Sequence, residues 1–274
     1  YTTLFRSVIP KSCEIIGPSA FRQCQYLESI SFEDGSNLLT IGNYAFAETY
    51  LLKRISIPNS VNFIDIYAFS NSSIESINLP NNIGFISSYL FSNCRNLKNI
   101  EIPDSVTEIG IGAFSGCSSL ESINLPSSLT TIDRFAFSGC TSLNQIIISN
   151  SVEYILEEAF SYSGLVDITI PNKVKEISET AFICCDKLIN IFVDENNKVY
   201  RDFEGVLHSK NLDTLVTYPA GRTKYNYTIN ENVIYIGKYA FYSLNSLTKI
   251  YFSSNLLEIG DYSFFGCNMY TYNL

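Results

Sequence analysis

The amino-acid sequence predicts a repeat solenoid of mainly β structure, in which short strands and turns wind around one continuous core. Three observations predict this fold class. A phenylalanine returns about every 23 residues, a period within the range that repeat proteins show. The other apolar residues keep fixed distances from this phenylalanine. One such unit is too short to bury its own apolar side chains, whereas stacked units can do so.

The phenylalanine that sets the period usually follows an alanine. The steps between its successive positions are nearly equal, except for one step that is more than twice as long as the others. In the unit opened by Phe114, Cys117 lies three residues later, Leu120 six and Ile123 nine, and the next unit repeats these distances. We call these residues the marker phenylalanines and predict that they form the structural core: Phe21, Phe46, Phe69, Phe91, Phe114, Phe137, Phe160, Phe182, Phe241 and Phe264.

Each unit consists, in chain order, of a strand, a turn, a second apolar segment and a closing Ala-Phe pair. The segment LESINL at 120–125 alternates apolar and polar residues, as a half-buried strand does. Pro126 follows and ends the strand, because proline has no N–H for the sheet ladder. Polar residues then favour a turn. A second apolar segment, such as VTEIG at 106–110, leads to the next Ala-Phe pair.

One long interval interrupts the period. The step from Phe182 to Phe241 equals one ordinary unit plus about 36 residues. Val206-Leu207 and Leu215-Val216 still supply apolar strand material, so we expect one or two atypical coils there rather than a linker. The prediction is a single solenoid over residues 1–274, with regular repeats at about 1–192 and 229–274 and atypical coils at about 193–228.

Six of the eight cysteines stand three residues after a marker phenylalanine. Equivalent residues of neighbouring coils lie about 4.8 Å apart, and their Cα–Cβ bonds are parallel. The distance between their Cβ atoms is therefore also about 4.8 Å, which is longer than the roughly 3.5–4.5 Å that a disulfide needs. We therefore expect a ladder of reduced, buried thiols at Cys24, Cys94, Cys117, Cys140, Cys185 and Cys267. The adjacent pair Cys184-Cys185 leaves a redox role open, and Cys13 lies outside the register.

Composition and motifs point away from nucleic acids, membranes, metals and catalysis. The net charge is −9 and no basic stripe offsets it, which disfavours a phosphate-backbone partner. No apolar run reaches the roughly 18 residues of a membrane span. The single His208 has no second ligand at metal-binding spacing, so we expect a surface histidine. No catalytic triad, HExxH motif or carboxylate pair is visible, and we predict no cofactor, no metal and no enzyme activity.

The outward residues of the successive strands are predicted to line one broad face. Its N-terminal half is small and polar, whereas the C-terminal half gains Ile147, Phe192 and Tyr251. Exposed apolar residues on a rigid sheet are typical anchors for a protein partner, but such residues also simply favour strands. The candidate protein-binding residues are Arg54, Asn99, Glu101, Asn124, Gln145, Ile147, Asp167, Asn190, Phe192, Lys249 and Tyr251.

The pattern AFxxCxxLxxIxIPxxVxxIGxxAF resembles the BspA-type leucine-rich repeats, which occur in surface proteins of anaerobic bacteria and of mucosal protozoan parasites. The resemblance implies a leucine-rich-repeat arc with a parallel sheet on its concave face and short strands, turns or 3-10 segments on the other side. It also implies a non-catalytic cell-surface or secreted protein that attaches to host cells, matrix proteins or other microbes. An intracellular interaction scaffold on the same solenoid is the alternative, consistent with reduced thiols.

The two ends of the sequence lead to one further expectation. The chain begins with Tyr1 and shows no signal peptide, and the unit opened by Phe264 stops ten residues later at Leu274. An open solenoid end needs a polar cap, and none is visible. We therefore expect the natural protein to continue, with an anchor, more repeats or another domain. An enzymatic or toxic activity would have to reside in such flanking sequence.

Overall fold

A computed structural model describes residues 5–267 as a β-solenoid of about eleven turns, built from short strands and turns without a helix in that range. The predicted fold class is confirmed. The strand expected after Phe264 lies outside the described residues.

The first strand of each coil comes from the LxxIxI segment, and these strands pair in parallel two by two. In Ser122–Asn124 the central Ile123 is buried and both flanking side chains are exposed. This alternation places the isoleucines in the core and the polar residues on one outer face. The first strands are Phe5–Ile9, Leu27–Phe32, Arg54–Ser56, Ser76–Asn78, Asn99–Glu101, Ser122–Asn124, Asp167–Ile170, Asn190–Val193, Asn226–Thr228 and Lys249–Tyr251.

The second apolar segment of each coil forms a two-residue strand in a separate parallel ladder. Its isoleucines lie side by side, as in the pairing of Ile109 with Ile132. The second strands are Ile15–Ile16, Thr40–Ile41, Phe63–Ile64, Phe85–Ile86, Glu108–Ile109, Thr131–Ile132, Tyr154–Ile155, Glu176–Ile177, Tyr235–Ile236 and Glu258–Ile259.

The Ala-Phe pair forms the corner that closes each coil. The backbone N–H of Phe114 donates to the carbonyl oxygen of Ala136 in the next coil, at 2.9 Å. The rings from Phe21 to Phe182 stack in an unbroken column with centroids 5.2–5.8 Å apart. The marker rings are buried, except that Phe21 and Phe264, each stacked on a single neighbouring marker ring, are half-buried.

The turn around each corner requires the left-handed backbone region on both sides of the phenylalanine. Gly112 and Gly116, two residues before and after Phe114, have φ values of 58° and 73°. Tyr89 and Asn93 adopt the same region in the preceding coil, at 57° each. The glycine of the AFSGC motif therefore relieves a strain that other coils tolerate.

The thiols of the ladder act as hydrogen-bond donors between coils. Cys117 donates its S–H to the carbonyl oxygen of Phe91 at 3.1 Å, and Cys140 to that of Phe114 at 3.2 Å. All eight cysteines are free. Burial is complete at Cys117 and Cys140, but Cys24 and Cys267 are only half-buried, which corrects the expectation of a uniformly buried ladder. These two thiols stand in the same terminal coils as the half-buried rings.

The long interval contains one enlarged coil followed by one ordinary coil. Tyr218 occupies the marker position: its N–H donates to the carbonyl of Ala240 at 2.8 Å, and its ring lies 5.2 Å from that of Phe241. The enlarged coil thus runs from Phe182 to Tyr218. Its extra length forms an antiparallel hairpin of Tyr200–Phe203 and Val206–Ser209. The strand Thr214–Thr217 pairs with this hairpin on one edge and in parallel with Tyr235–Ile236 on the other, so it is the second strand of the enlarged coil.

The expectation of a surface histidine was wrong. His208 is fully buried, because the strand Val206–Ser209 is paired on both edges and packed on both faces. Its Nδ1 lies 2.9 Å from the carbonyl oxygen of Val206, and its Nε2 has no hydrogen-bond partner within residues 5–267. Burial lowers the pKa of the imidazole, so the ring is neutral at neutral pH.

Candidate protein-binding face

The exposed side chains of the first strands form one surface, which we call the strand face. Inward isoleucines fix its orientation, because a strand that buries every second residue must expose the others. Ten of the candidate binding residues are exposed, and the eleventh, Asn190, is half-exposed. The ten are Arg54, Asn99, Glu101, Asn124, Gln145, Ile147, Asp167, Phe192, Lys249 and Tyr251.

Two apolar side chains project from this face close to each other. Ile147 is paired with Asn124, and Phe192 is paired with Thr169. Thr169 is flanked by two buried isoleucines, as Ile147 is in the preceding coil, so all four residues belong to one row that crosses the coils. The two apolar residues are two coils apart, which is about 10 Å at the spacing of paired strands. Ile147 is 83% exposed and Phe192 is 44% exposed.

A shallow groove of about 420 Å³ runs past both side chains. We call it the Ile147–Phe192 groove. Its polar lining comes from the strands and from the turns that follow them. The lining residues are Gln145, Ile146, Ile147, Ile148, Asn150, Asp167, Ile168, Thr169, Pro171, Phe192 and Asp194.

The groove is acidic. Asp167 and Asp194 line it, and no lysine or arginine among residues 5–267 does. The Asn190 amide donates to Asp167 Oδ1 at 2.8 Å, and the backbone N–H of Asn196 donates to Asp194 Oδ1 at 2.8 Å. Among the ion pairs of the described residues, neither carboxylate takes part. Both carboxylates are therefore held by neutral hydrogen-bond donors, and neither forms an ion pair with a described lysine or arginine.

The N-terminal half of the strand face holds a second groove, of about 680 Å³, with a different character. Its row residues are Ser56, Asn78 and Glu101, and Asp104 lies in the turn beyond them. It has two carboxylates, as the first groove has, but its apolar lining residues are core isoleucines and leucine rather than projecting side chains. We call it the Asn78–Glu101 groove.

Tyr251 belongs to a different part of the face. Its strand pairs with Asn226–Thr228 in a separate two-stranded sheet, and the Lys249 ammonium lies 4.7 Å from the Tyr251 ring centre. The hairpin of the enlarged coil lies between this sheet and Asn190–Val193: the carbonyl of Gly205, at the hairpin tip, accepts a hydrogen bond from Ile191. The structure brings Ile147 and Phe192 together but does not bring Tyr251 to them.

Sequence reasoning missed the turn residues Asn150 and Asp194, because they lie outside the LxxIxI alternation. Both lie within three residues after the row residue of a first strand, and a search of that turn could have identified them. It also missed a column of tyrosines two residues before the marker position. Tyr44, Tyr67 and Tyr89 stack at centroid distances of 4.8 and 4.7 Å.

The buried thiols are not reactive nucleophiles. Burial raises the pKa of Cys94 to about 11 and that of Cys140 to about 12, so both stay protonated at neutral pH and lack a nucleophilic thiolate. Residues 5–267 contain no cluster of three His, Cys, Asp or Glu side chains suited to a metal ion. In the same range no helix has the length and apolar character that crossing a bilayer requires.

Comparison with a family model identifies the repeat. Residues 1–118, 84–204 and 223–274 match the model described as the BspA type leucine-rich repeat region, in six copies. No curated protein matches the chain significantly.

Solved structures resemble the chain over most of its length. It is 28% identical to a leucine-rich cell surface protein from Faecalibacterium prausnitzii, with a TM-score of 0.68 over 93% of this chain and 65% of that one. A leucine-rich repeat protein from Bacteroides ovatus gives 24% identity, a TM-score of 0.71 and coverages of 96% and 76%. The pneumococcal vaccine antigen PcpA is 23% identical, with a TM-score of 0.55 over 94% of this chain and 57% of that one. The chain thus spans less than two thirds of the first and third of these proteins.

Proposed function

The chain belongs to the BspA-type leucine-rich repeat family, and from this premise we propose that it is a non-catalytic binding protein of the cell surface or extracellular space. In this proposal its strand face attaches to host cells, matrix proteins or other microbes. The similarity to a protein described as a leucine-rich cell surface protein supports the location.

The observation that carries the proposal is the pair of exposed apolar side chains two coils apart, after a run of polar residues at the same row position from Ser31 to Asn124. At the same row position other coils carry Asn78, Glu101 and Asn124, so the strand does not need an apolar residue there. Strand preference alone therefore does not account for Ile147 and Phe192. Large apolar residues surrounded by polar ones are typical of the centre of a protein interface.

The energetics are sufficient for a specific contact. Complete burial of an Ile or Phe side chain contributes roughly 1.5–3 kcal/mol, and about 1.4 kcal/mol corresponds to tenfold in affinity. Loss of both anchors should therefore weaken binding by at least about tenfold, even though each side chain is already partly covered in the free protein.

The test is binding of the purified domain to epithelial cells and to a panel of matrix proteins at physiological salt. We expect saturable binding that unlabelled domain competes away and that Ile147→Ser/Phe192→Ser reduces at least about tenfold. The matched control is Ser56→Ala/Asn78→Ser, two exposed residues of the same row outside the candidate binding residues, which should leave binding unchanged. Equal loss in both variants, or in neither, would show that the Ile147–Phe192 groove is not the contact.

A second candidate function is an intracellular interaction scaffold. The eight free cysteines favour it, because surface and secreted proteins commonly form disulfides. Labelling of intact and of permeabilised cells with a membrane-impermeant reagent separates the two locations. Labelling that appears only after permeabilisation would support the scaffold.

A further inference from the structure

The Ile147–Phe192 groove also indicates what kind of partner segment it would accept. The carboxylates of Asp167 and Asp194 lie on opposite sides of the apolar row: Asp167 precedes Thr169 by two residues in the middle coil, and Asp194 follows Phe192 by two. Two residues along a strand correspond to about 6.6 Å. A segment seated on the apolar row would therefore have a carboxylate on either side.

Both carboxylates need a cationic neighbour when the groove is covered. Burying an ionised carboxylate without a partner is costly, and the neutral hydrogen bonds from Asn190 to Asp167 and from Asn196 to Asp194 compensate only part of that cost. Lys173 lies in the turn between the two apolar coils and is exposed, but it does not line the groove, and the ion pairs of residues 5–267 do not join it to either carboxylate. The cation must come from the partner.

Building on the proposed binding function, we propose that the occupant of this groove is a polypeptide segment with two apolar side chains about 10 Å apart and a lysine or arginine beside them. That spacing corresponds to about three residues of a polyproline II helix, in which residues three apart face the same side. The apolar side chains cover Ile147 and Phe192, and the basic side chain pairs with Asp167 or Asp194. Acidic segments are repelled by the same carboxylates and by the net charge of −9.

The Asn78–Glu101 groove provides an internal control in the same molecule. It carries Glu101 on the row itself and Asp104 in the turn beyond it, but no projecting apolar side chain from the described residues. Replacement of its two carboxylates changes the net charge of the protein by the same amount as replacement of Asp167 and Asp194. A difference between the two double variants therefore reports position rather than overall charge.

The experiment is selection of a displayed library of random dodecapeptides on the wild-type domain, with counter-selection on Ile147→Ser/Phe192→Ser. The enriched peptides are synthesised, and their dissociation constants are measured by fluorescence anisotropy at 50 and 500 mM NaCl. We expect enrichment of apolar pairs three residues apart with Lys or Arg beside them. Asp167→Asn/Asp194→Asn should weaken binding about three- to tenfold, and Glu101→Gln/Asp104→Asn less than about twofold.

The outcomes separate this inference from the attachment proposal. Peptides that need Ile147 and Phe192 but show no basic preference, no salt dependence and equal affinity for Asp167→Asn/Asp194→Asn would overturn the inference alone. Absence of any peptide enriched over the counter-selected variant would also overturn it, while the attachment proposal would still be decided by the cell-binding assay. Salt dependence is measured on the wild-type domain, so the inference stays testable if the asparagine variant folds poorly.

Discussion

Removal of one ring from the phenylalanine column is the most direct test of the core. Phe137 is fully buried and stacks between Phe114 and Phe160, with centroids 5.5 Å away on each side. Truncation to alanine removes the transfer free energy of the ring and leaves a cavity that two stacked neighbours cannot easily fill. A Phe→Ala change in such a site costs about 3–5 kcal/mol. We expect Phe137→Ala to lower the free energy of unfolding by that amount.

The measurement is urea denaturation followed by circular dichroism, with amide hydrogen exchange to show how many coils open together. Phe21→Ala is the matched control, because Phe21 is half-buried and stacks only on Phe46 among the described rings. Its cost should be about half as large, since less area leaves the core. A loss below about 1 kcal/mol for Phe137→Ala would refute the assignment of the column as the main core element.

Three further predictions concern a corner, the coil that follows the enlarged coil, and the buried histidine of the enlarged coil. Gly116→Ala places a side chain at φ 73° with its Cβ 2.5 Å from Asn93 Oδ1, so we expect a loss of about 1–2 kcal/mol in thermal or urea unfolding. The same change at Gly139, also at 73° but with no described atom nearer than 3.5 Å, should cost less, and equal losses would show that the close contact is unimportant. Tyr227→Phe removes a buried hydroxyl that has no partner within residues 5–267, so stability should stay equal or rise; a loss above about 1 kcal/mol would reveal a bond to that hydroxyl. Burial depresses the pKa of His208 in the folded protein below the pKa of about 6.5 that it has in the unfolded chain. The folded state therefore has its full stability above about pH 6.5, where His208 is neutral in both states. Stability should fall by up to about 1.4 kcal/mol per pH unit as the pH drops below 6.5, and His208→Leu should not show this dependence in urea titrations at pH 7.5 and 5.5.

The period could be predicted from the sequence because every coil repeats the same packing problem. Phe114 and Phe137 occupy equivalent sites, so the intervals alone predict which residues stack. The backbone strain at the corners was not predictable in the same way. Tyr89, Asn93 and Gly112 all adopt positive φ. Of these, glycine is the default residue for positive φ, so a sequence pattern indicates the left-handed region most clearly where glycine occurs.

The enlarged coil shows where this reasoning stops. Tyr218 replaces the marker phenylalanine and does not follow an alanine. In the sequence, only its distance of one ordinary period from Phe241 indicates that it occupies the marker position, where its ring stacks on that of Phe241. His208 was misassigned for a related reason. A lone polar residue in an irregular segment has no register from which its burial can be read, and here a hairpin encloses it.

The candidate site was predictable only in part, for the same physical reason. The outward direction of Ile147, Phe192 and Tyr251 follows from strand alternation, which is local. Their grouping depends on which coils are adjacent, and the hairpin tip at Gly205 takes the place of the next first strand beside Ile191. Tyr251 is therefore separated from the other two by a feature of the fold that alternation does not contain.

This separation gives the enlarged coil a consequence for binding. A uniform solenoid presents one continuous first-strand face, so a partner could slide along it from coil to coil. Here the hairpin tip lies beside Asn190–Val193, the strand that carries Phe192, in the place of the next first strand. On the other side the row becomes polar at Asn124. The apolar row is therefore bounded at both ends and spans three coils, and these limits define the register of a bound segment. Extension of the row by Asn124→Ile should allow binding in a second register and thus reduce peptide selectivity, whereas unchanged selectivity would mean that the carboxylates alone fix the position.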